Sequence, residues 1–136
     1  MVGIIPKKTK FIKFQKKKIK NLATRFLNLD FGNFGLKAKK NGYITSKQLE
    51  MVKLNLSKST KRIGQYWIRV FPHQAITAKP LEVRMGKGKG YIDDWVCKVK
   101  AGFVLCEVSG LPSNQARLLL KSIARKLPIQ VYCICK

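Results

Sequence analysis

The sequence predicts an α+β fold with a mixed or antiparallel sheet, two helices and a basic N-terminal arm. Two stretches carry apolar residues at helical spacing, and short runs rich in β-branched and aromatic residues lie around them. With 136 residues, the chain is long enough for one domain with a hydrophobic core. Because the helices and roughly four to six strands follow one another in mixed order, they fit a layered α+β domain.

The N-terminal arm is predicted from its charge. Residues 1–29 contain no acidic residue, and eight lysines lie between Lys7 and Lys20. Like charges at this density oppose compaction, so we expect an extended arm followed by a single domain over residues 30–136. Four apolar residues interleave the lysines and either anchor the arm on the domain or stack against bases: Phe11, Ile12, Phe14 and Ile19.

Strands are predicted where β-branched and aromatic residues are bounded by turn residues or proline. Two of them are interpreted as a hairpin joined by a turn at residues 100–102. A long connection without strands is expected over residues 73–91. The predicted strands are residues 34–38, 65–72, 95–99, 103–108 and 129–135.

Both predicted helices have a start signal and an apolar face. The first covers residues 46–61, with Thr45 as N-cap and Gln48 completing a capping box. The second is expected to be capped by Ser113 and stopped by Pro128. Their predicted buried residues are Leu49, Val52 and Leu56 in the first helix and Ala116, Leu119, Leu120, Ile123 and Leu127 in the second.

The charge balance predicts a polyanionic partner. The chain has 29 Lys and Arg against 6 Asp and Glu, a formal net charge of +23, which exceeds what solubility requires. Hydrophobic residues make up 46% of the sequence, which excludes a disordered basic tail. Lysines outnumber arginines, and this favours contact with the phosphate backbone over base readout.

Three glycines alternate with two lysines in the segment KPLEVRMGKGKGY, residues 79–91. Glycine lets the backbone approach a partner closely, and lysine carries a flexible positive charge. The segment lacks the Ser or Thr that ends a Walker loop and the third glycine of the dinucleotide fingerprint. We interpret it as a finger loop that either touches an anion at short range or moves freely in water.

Catalytic chemistry has little support in this sequence. His73 is the single histidine, and Asp93 and Asp94 are adjacent, so on a strand they face opposite sides and cannot share a proton. The other carboxylates are scattered, and no nucleophile, base and orienting group come together. We therefore expect no enzymatic activity, no small-molecule substrate and no cofactor.

The cysteines are interpreted as small buried hydrophobes rather than as metal ligands or disulfide partners. Cys133 and Cys135 lie two apart, and no C-x-x-C pair occurs, so the spacing does not fit a structural zinc site. The same interpretation covers Cys97 and Cys106. No apolar run of about 18 residues is present, so no membrane span is expected.

The order of several segments resembles that of a known family, the bacterial-type large-subunit ribosomal protein sixteen. Its eukaryotic cytosolic and archaeal relatives are called ribosomal protein ten. The chain contains, in the family's order, the segments PKKTKF, FGNFGLKA, WIRVFPH, ITAKPLEVRMGKGKG, DDWVCKVKAGFVLCEVSGLP and ARKLPI. The resemblance covers residues 5–132, and residues 79–90 are highly specific to it.

The resemblance implies a structural protein of the large ribosomal subunit with an α/β-hammerhead type of sandwich. Its implied partners are large-subunit rRNA, other large-subunit proteins and tRNA, because the family's glycine-lysine loop reaches toward the peptidyl-transferase region and the tRNA cleft. The residues implied to bind RNA are Arg84, Met85, Lys87 and Lys89 at the loop tip, Gly86, Gly88 and Gly90 in its backbone, and Lys7, Lys8, Lys10 and Lys13 in the arm.

The chain departs from bacterial members of the family at two places. His73, Gln74 and Ala75 replace a common Asp-Lys-Pro, which affects the local turn and one cationic contact. Residues 16–29 are rich in amino acids with AT-rich codons, which predicts an organellar genome and a mitochondrial ribosome, with plastid or bacterial cytoplasm as alternatives. Because the family N-terminus matches from about residue 5, we expect no transit peptide and synthesis inside the organelle.

Two other classes of function compete with the ribosomal one. The first is a free-standing basic RNA- or DNA-binding protein, such as an RNA chaperone or a nucleoid protein. The second is a cationic protein that associates with anionic membrane surfaces. Sedimentation with large subunits at high salt separates both from the ribosomal hypothesis.

Overall fold

Seven strands and two helices occur in the part of the chain that the computed structural model describes, residues 4–61 and 63–136. The predicted order of a strand, a helix, further strands, a helix and a last strand is retained. The elements are β1 (Phe34–Ala38), β2 (Gly42–Thr45), α1 (Ser46–Thr60), β3 (Gln65–Ile68), β4 (Gln74–Ala78), β5 (Tyr91–Val99), β6 (Val104–Ser109), α2 (Ser113–Ala124) and β7 (Val131–Cys135).

The strands form two sheets. One has four strands in the order β3-β6-β1-β7, and the other has three in the order β2-β5-β4. Every pairing is antiparallel, and Leu36 of β1 lies opposite both Cys106 of β6 and Cys133 of β7. Two helices with antiparallel sheets confirm the predicted α+β class.

The predicted hairpin of residues 95–99 and 103–108 is wrong, because its two strands belong to different sheets. β5 pairs with β2 and β4, whereas β6 pairs with β1 and β3. After the turn, Gly102 donates its N–H to the Ala38 carbonyl at 2.8 Å, and Ala38 donates to the Phe103 carbonyl at 2.9 Å. The backbone groups beyond the turn are thus satisfied by β1, and the chain passes from one sheet to the other.

Two strands were not predicted, and four of the five predicted strands have different bounds. β2 lies between the predicted strand of residues 34–38 and the first helix, and β4 lies inside the expected connection of residues 73–91. Both are edge strands that pair with the central strand β5, β2 from a distant part of the chain and β4 across the connection of residues 79–90. Their local sequence carries little strand signal because pairing with β5 stabilises them. The strand predicted over residues 65–72 ends at Ile68, and β5 begins at Tyr91 rather than at residue 95. β6 covers Val104–Ser109 rather than residues 103–108, and β7 begins at Val131 rather than at residue 129.

The capping box of α1 is confirmed. The Gln48 N–H donates to Thr45 Oγ1 at 3.3 Å, and the Thr45 N–H donates to Gln48 Oε1 at 2.9 Å. The helix ends at Thr60, one residue earlier than expected, and Lys61 terminates it in the left-handed conformation with a φ of 41°. All three residues predicted for its inner face are buried.

The second helix differs from the prediction at both ends. Pro112 occupies the N-cap position and makes no side-chain capping bond, so the prediction of Ser113 as the cap is wrong. The helix ends at Ala124, before Pro128, and Leu127 packs partly buried beyond its end. The other four residues predicted for the apolar face are buried in α2.

Two hydrophobic clusters join the layers. In the first, the apolar faces of α1 and α2 pack against Leu36, Cys106 and Val108 on one face of the four-stranded sheet. Leu105 points to the opposite face, because side chains alternate along a strand, and joins Ile44 of β2 in the second cluster between the two sheets. No helix in the described residues is both long and apolar enough to cross a membrane.

Candidate nucleic-acid interface

The predicted finger loop connects β4 to β5, and we define it as residues 79–90. Ala78 lies opposite Tyr91 in the β4–β5 ladder and closes the base of the loop. Residues 79–89 are exposed, and Met85 has 99% of its surface accessible. An apolar side chain in this position gains no burial from its own chain, so the loop tip is free to contact a partner.

The loop tip has an unusual backbone. Gly86, Lys87 and Gly88 have successive φ values of 101°, 52° and 85°. Nothing lies within 4 Å of a Cβ built on Gly86 or Gly88, so conformation rather than crowding favours glycine there. Gly90 differs, because a Cβ at that position would lie 2.2 Å from the Ala78 carbonyl oxygen. Glycine is needed at Gly90 for the close approach of the two strands at the loop base.

The arm contacts the base of the finger loop. Lys13 donates from Nζ to the Lys89 carbonyl at 2.9 Å, and its ammonium lies 5.8 Å from the centre of the Tyr91 ring. Lys89 in turn donates from Nζ to the Phe14 carbonyl. These reciprocal contacts bring the positive charges of arm and loop onto one surface.

The rest of the arm follows the domain without helix or strand between residues 4 and 33. Tyr43 Oη donates to the Lys17 carbonyl at 2.5 Å, and Asn41 Nδ2 donates to the Ile19 carbonyl at 3.0 Å. These bonds anchor the arm through its backbone. Of the interleaved apolar residues, Phe14 and Ile19 are half-buried, whereas Phe11 and Ile12 are exposed.

The structure brings one of the predicted arm lysines to the loop. Lys7, Lys8 and Lys10 are exposed, and among the described residues no hydrogen bond joins them to the finger loop. The loop itself carries one carboxylate, Glu82, against a larger number of cationic groups, so its field is positive. Its cations are Lys79, Arg84, Lys87 and Lys89.

Comparison with known proteins agrees with this basic, loop-bearing fold. The family model for ribosomal protein L16p/L10e matches residues 6–134. The chain belongs to the ribosomal protein L16p/L10e family. It is 45% identical to the large ribosomal subunit protein uL16 of Aeromonas hydrophila over 131 residues, 96% of each chain. The protein of the same name from Maricaulis maris is 43% identical over the same shares.

This L16p/L10e chain also contains a buried ionic cluster, which sequence reasoning missed. The Glu107 side chain is fully buried, and its Oε2 accepts the N–H groups of Phe31 and Gly32, both at 2.8 Å. Its Oε1 pairs with Nη1 of Arg69, and Nη2 of Arg69 pairs with Asp30 at 2.6 Å. The cluster therefore joins residues 30–32, where the arm meets the domain, to Arg69 directly after β3 and to β6.

The pKa values follow from this geometry. Burial of Glu107 alone would raise the pKa of its carboxyl, but the bonds from Gly32, Phe31 and Arg69 outweigh it and lower the pKa below its ordinary value. Burial would lower the pKa of Arg69, and its bonds to Asp30 and Glu107 instead raise it. One signal pointed to this cluster: Glu107 is the single charged residue of the apolar strand VLCEVS.

Aromatic rings surround the Arg69 guanidinium of this cluster. Its central carbon lies 5.0 Å from the ring centres of both Phe26 and Phe31. The Phe31 ring stacks on Trp67 with centroids 5.8 Å apart. The arm residues before β1 are thereby fixed by a cation–π sandwich in addition to hydrogen bonds.

The four cysteines of this family member are free thiols, and they fall into two groups. Cys97 and Cys106 are buried as predicted, and burial raises their pKa values to about 11 and about 12. Cys133 and Cys135 are exposed on β7, so the prediction of burial is wrong for them. β7 is an edge strand, so the two thiols keep exposed surface even though Cys133 lies opposite Leu36 and lines a cleft with Arg117 of α2. Within residues 4–61 and 63–136, no three His, Cys, Asp or Glu residues group to hold a metal.

Proposed function

We propose that this chain is a structural constituent of the large ribosomal subunit that binds large-subunit rRNA through its arm and finger loop. The ribosomal role is supported by membership of the L16p/L10e family and by relatives that are named large ribosomal subunit protein uL16. The observation that carries the RNA-binding part is the exposed finger loop, with its cations, its positive φ values and its contact with Lys13.

The proposed binding is electrostatic and depends little on base sequence. Lysines that neutralise phosphates release condensed counterions, so each contact contributes to affinity and makes it salt-dependent. Gly86 and Gly88 leave the loop backbone uncovered by side chains, so its N–H groups can reach phosphate oxygens at short range. Lys7, Lys8, Lys10 and Lys13 hold the arm in rRNA grooves.

Within the large subunit, the finger loop is proposed to reach toward the peptidyl-transferase region and to help position tRNA during translation. Arg84, Met85 and Lys87 form the contacting tip, Lys89 adds a contact at the loop base, and the exposed Met85 has no packing role in its own chain. The chain acts by ordering RNA and supplies no reacting group, so it is not an enzyme. Its further partners are neighbouring large-subunit proteins.

The proposed location is the ribosome of the mitochondrial matrix, from an organelle gene, because residues 16–29 are rich in amino acids whose codons are AT-rich. The relatives named above are bacterial, and this equally supports the alternative location, a bacterial cytoplasm. Detection of the chain by mass spectrometry in purified mitochondria of its source would support the first location. Its recovery from cells without organelles would support the second.

Sucrose-gradient sedimentation of source lysate in about 0.5 M salt, where the Debye length is about 4 Å, tests the proposed function. The chain is expected with large subunits, because many buried contacts survive salt that removes weak phosphate contacts. A lysate digested with ribonuclease is the control, and there the chain should move to the top of the gradient. Recovery at the top without digestion, or with membranes, contradicts the proposal and favours free nucleic acid or lipid as the partner.

A further inference from the structure

Apart from the finger loop, a basic cleft lies where arm residues 23–26 cross the turn that follows β5. Its volume is about 300 Å³, at the lower end of the roughly 300–1,000 Å³ range of ligand pockets. None of the described residues lining it is acidic. The side chains that define the cleft are Arg25, Phe26, Lys98, Lys100 and Phe103.

Phe26 is held in this cleft in a costly conformation. Its φ is 58°, a left-handed value that is rare for a bulky residue. The Phe26 carbonyl accepts the Val104 N–H at 3.0 Å, and nearby the Ala23 N–H donates to the Ala101 carbonyl at 2.9 Å. These bonds on both sides of the turn hold the backbone, and half of the surface of Phe26 is exposed.

The ring is supported from inside the protein. Phe103 lies 5.3 Å away between ring centroids, and the Arg69 guanidinium lies 5.0 Å from the Phe26 ring centre. A supported, half-exposed aromatic ring is a surface on which a nucleobase stacks. A larger cleft of about 540 Å³, lined by Lys39, Lys121 and Arg125, has cations but no aromatic ring among its described lining residues.

The cleft is separate from the finger loop. Lys98 and Tyr91 lie near opposite ends of β5, and Tyr91 is next to the finger loop. At about 3.3 Å per residue, these two residues are roughly 23 Å apart along the strand. One bound nucleotide therefore cannot occupy both places.

We propose that this cleft binds one unpaired nucleotide of RNA, with its base stacked on Phe26 and its phosphate bound by Arg25, Lys98 and Lys100. The proposal rests on the proposed rRNA-binding function and adds a specific contact to it. The aromatic ring accepts any base, and the three cations suit the phosphate. A second copy of this chain is a poor occupant, because it would bring further positive charge to a positive cleft.

The test uses large subunits from cells whose single copy of this chain carries a substitution. Acylation of rRNA 2′-hydroxyl groups reports unpaired, mobile nucleotides. In Phe26→Leu subunits, one nucleotide should become about fivefold or more reactive, the change that corresponds to losing one base–aromatic stack. Phe26→Tyr should keep the wild-type reactivity. Phe71→Leu is the matched control, because Phe71 is 49% exposed and Phe26 50%.

Lys98→Gln provides a second variant, because its side chain is exposed and has no packing role to lose. It should raise the reactivity of the same nucleotide, and ultraviolet crosslinking of wild-type subunits should join that nucleotide to a peptide containing Phe26 or Lys98. Normal subunits in which neither Phe26→Leu nor Lys98→Gln changes any nucleotide overturn this proposal alone. Crosslinks from the cleft to another protein also overturn it. Absence of the chain from large subunits instead overturns the proposed function.

Discussion

At the scale of single residues, Glu107 is a fully buried carboxylate that binds both the backbone and a cation. Its carboxylate accepts backbone N–H groups from residues 30–32 and pairs with Arg69, whose side chain is 8% exposed. A buried ion pair does not by itself prove high stability, but removal of one partner leaves an uncompensated charge in a dry site. The cluster therefore makes stability sensitive to this one residue.

Glu107→Gln should lower the free energy of unfolding by about 3–5 kcal/mol, because Arg69 and the backbone donors lose their buried carboxylate. Urea denaturation of the purified chain at pH 7 measures the change. Asp30→Asn is the matched control, since Asp30 is 54% exposed, and it should cost at most about 1 kcal/mol. Equal effects of the two substitutions would contradict the assignment of Glu107 as the centre of the cluster.

Glu107 also predicts a pH dependence of stability. Its pKa in the folded chain lies below its ordinary value of 4.5, so the folded state favours the ionised carboxyl. The associated stability is fully present above about pH 4.5 and is lost as the pH falls toward the folded pKa. Unfolding free energies measured between pH 7 and pH 3 should therefore decline in the acid range. The decline should be shallower in Glu107→Gln, and an unchanged slope would contradict this explanation.

Gly90→Ala should destabilise the base of the finger loop by about 1–3 kcal/mol, because its Cβ overlaps the backbone of Ala78. Gly88→Asn is the comparison, since that position is open and asparagine tolerates a positive φ. It should cost under about 1 kcal/mol. Thermal or urea unfolding of both variants measures the difference, and a larger loss in Gly88→Asn would show that crowding at Gly90 is not the controlling feature.

At the scale of elements, the start of α1 is stabilised by the two capping-box hydrogen bonds between Thr45 and Gln48. Thr45→Ala removes the oxygen that accepts the Gln48 N–H and should lower the unfolding free energy by about 0.5–2 kcal/mol. Ser59→Ala, at an exposed position near the end of the same helix, should have little effect. Denaturant titrations of both variants provide the measurement, and equal losses would mean that the cap contributes nothing.

At the scale of the whole molecule, a net charge of +23 leaves most cations without a carboxylate partner in the chain, so a polyanion is expected to balance them. The finger loop and the arm bring part of this charge to one surface, and the domain places them there through β4 and β5. Because the loop packs against little else, its charge is expected to matter for RNA and not for folding.

Combined substitution of Lys87→Ala and Lys89→Ala should change the unfolding free energy by less than about 0.5 kcal/mol, as exposed loop changes usually do. Subunits that carry both substitutions should accept aminoacyl-tRNA more slowly in a translation assay. Lys53→Ala with Lys58→Ala removes the same charge from the exposed face of α1 and serves as the control. Unchanged translation by the loop variant would count against the proposed positioning of tRNA.

The parts of the fold that depend on neighbouring residues were predictable. The capping box of α1 joins residues three positions apart, and the apolar faces of both helices follow from a spacing of three to four positions, so the residue order already contains them. The predictions of the strand at residues 34–38 and of the α+β class were also correct, because they rest on local composition and on turn residues. The exposed finger loop is also a local property, because glycine and lysine need no partner in the chain to remain in water.

Tertiary structure decided what depends on distant pairing. The chain after Gly102 turns to β1, because Ala38 satisfies its backbone, and the hairpin predicted from adjacent strands does not form. β2 and β4 exist because β5 lies between them. The Glu107 cluster and the Phe26 cleft join segments about 75 residues apart, and no short pattern encodes such a contact. Composition and local order thus determined the basic α+β chain and its loop, while long-range hydrogen bonding and burial determined which surfaces meet.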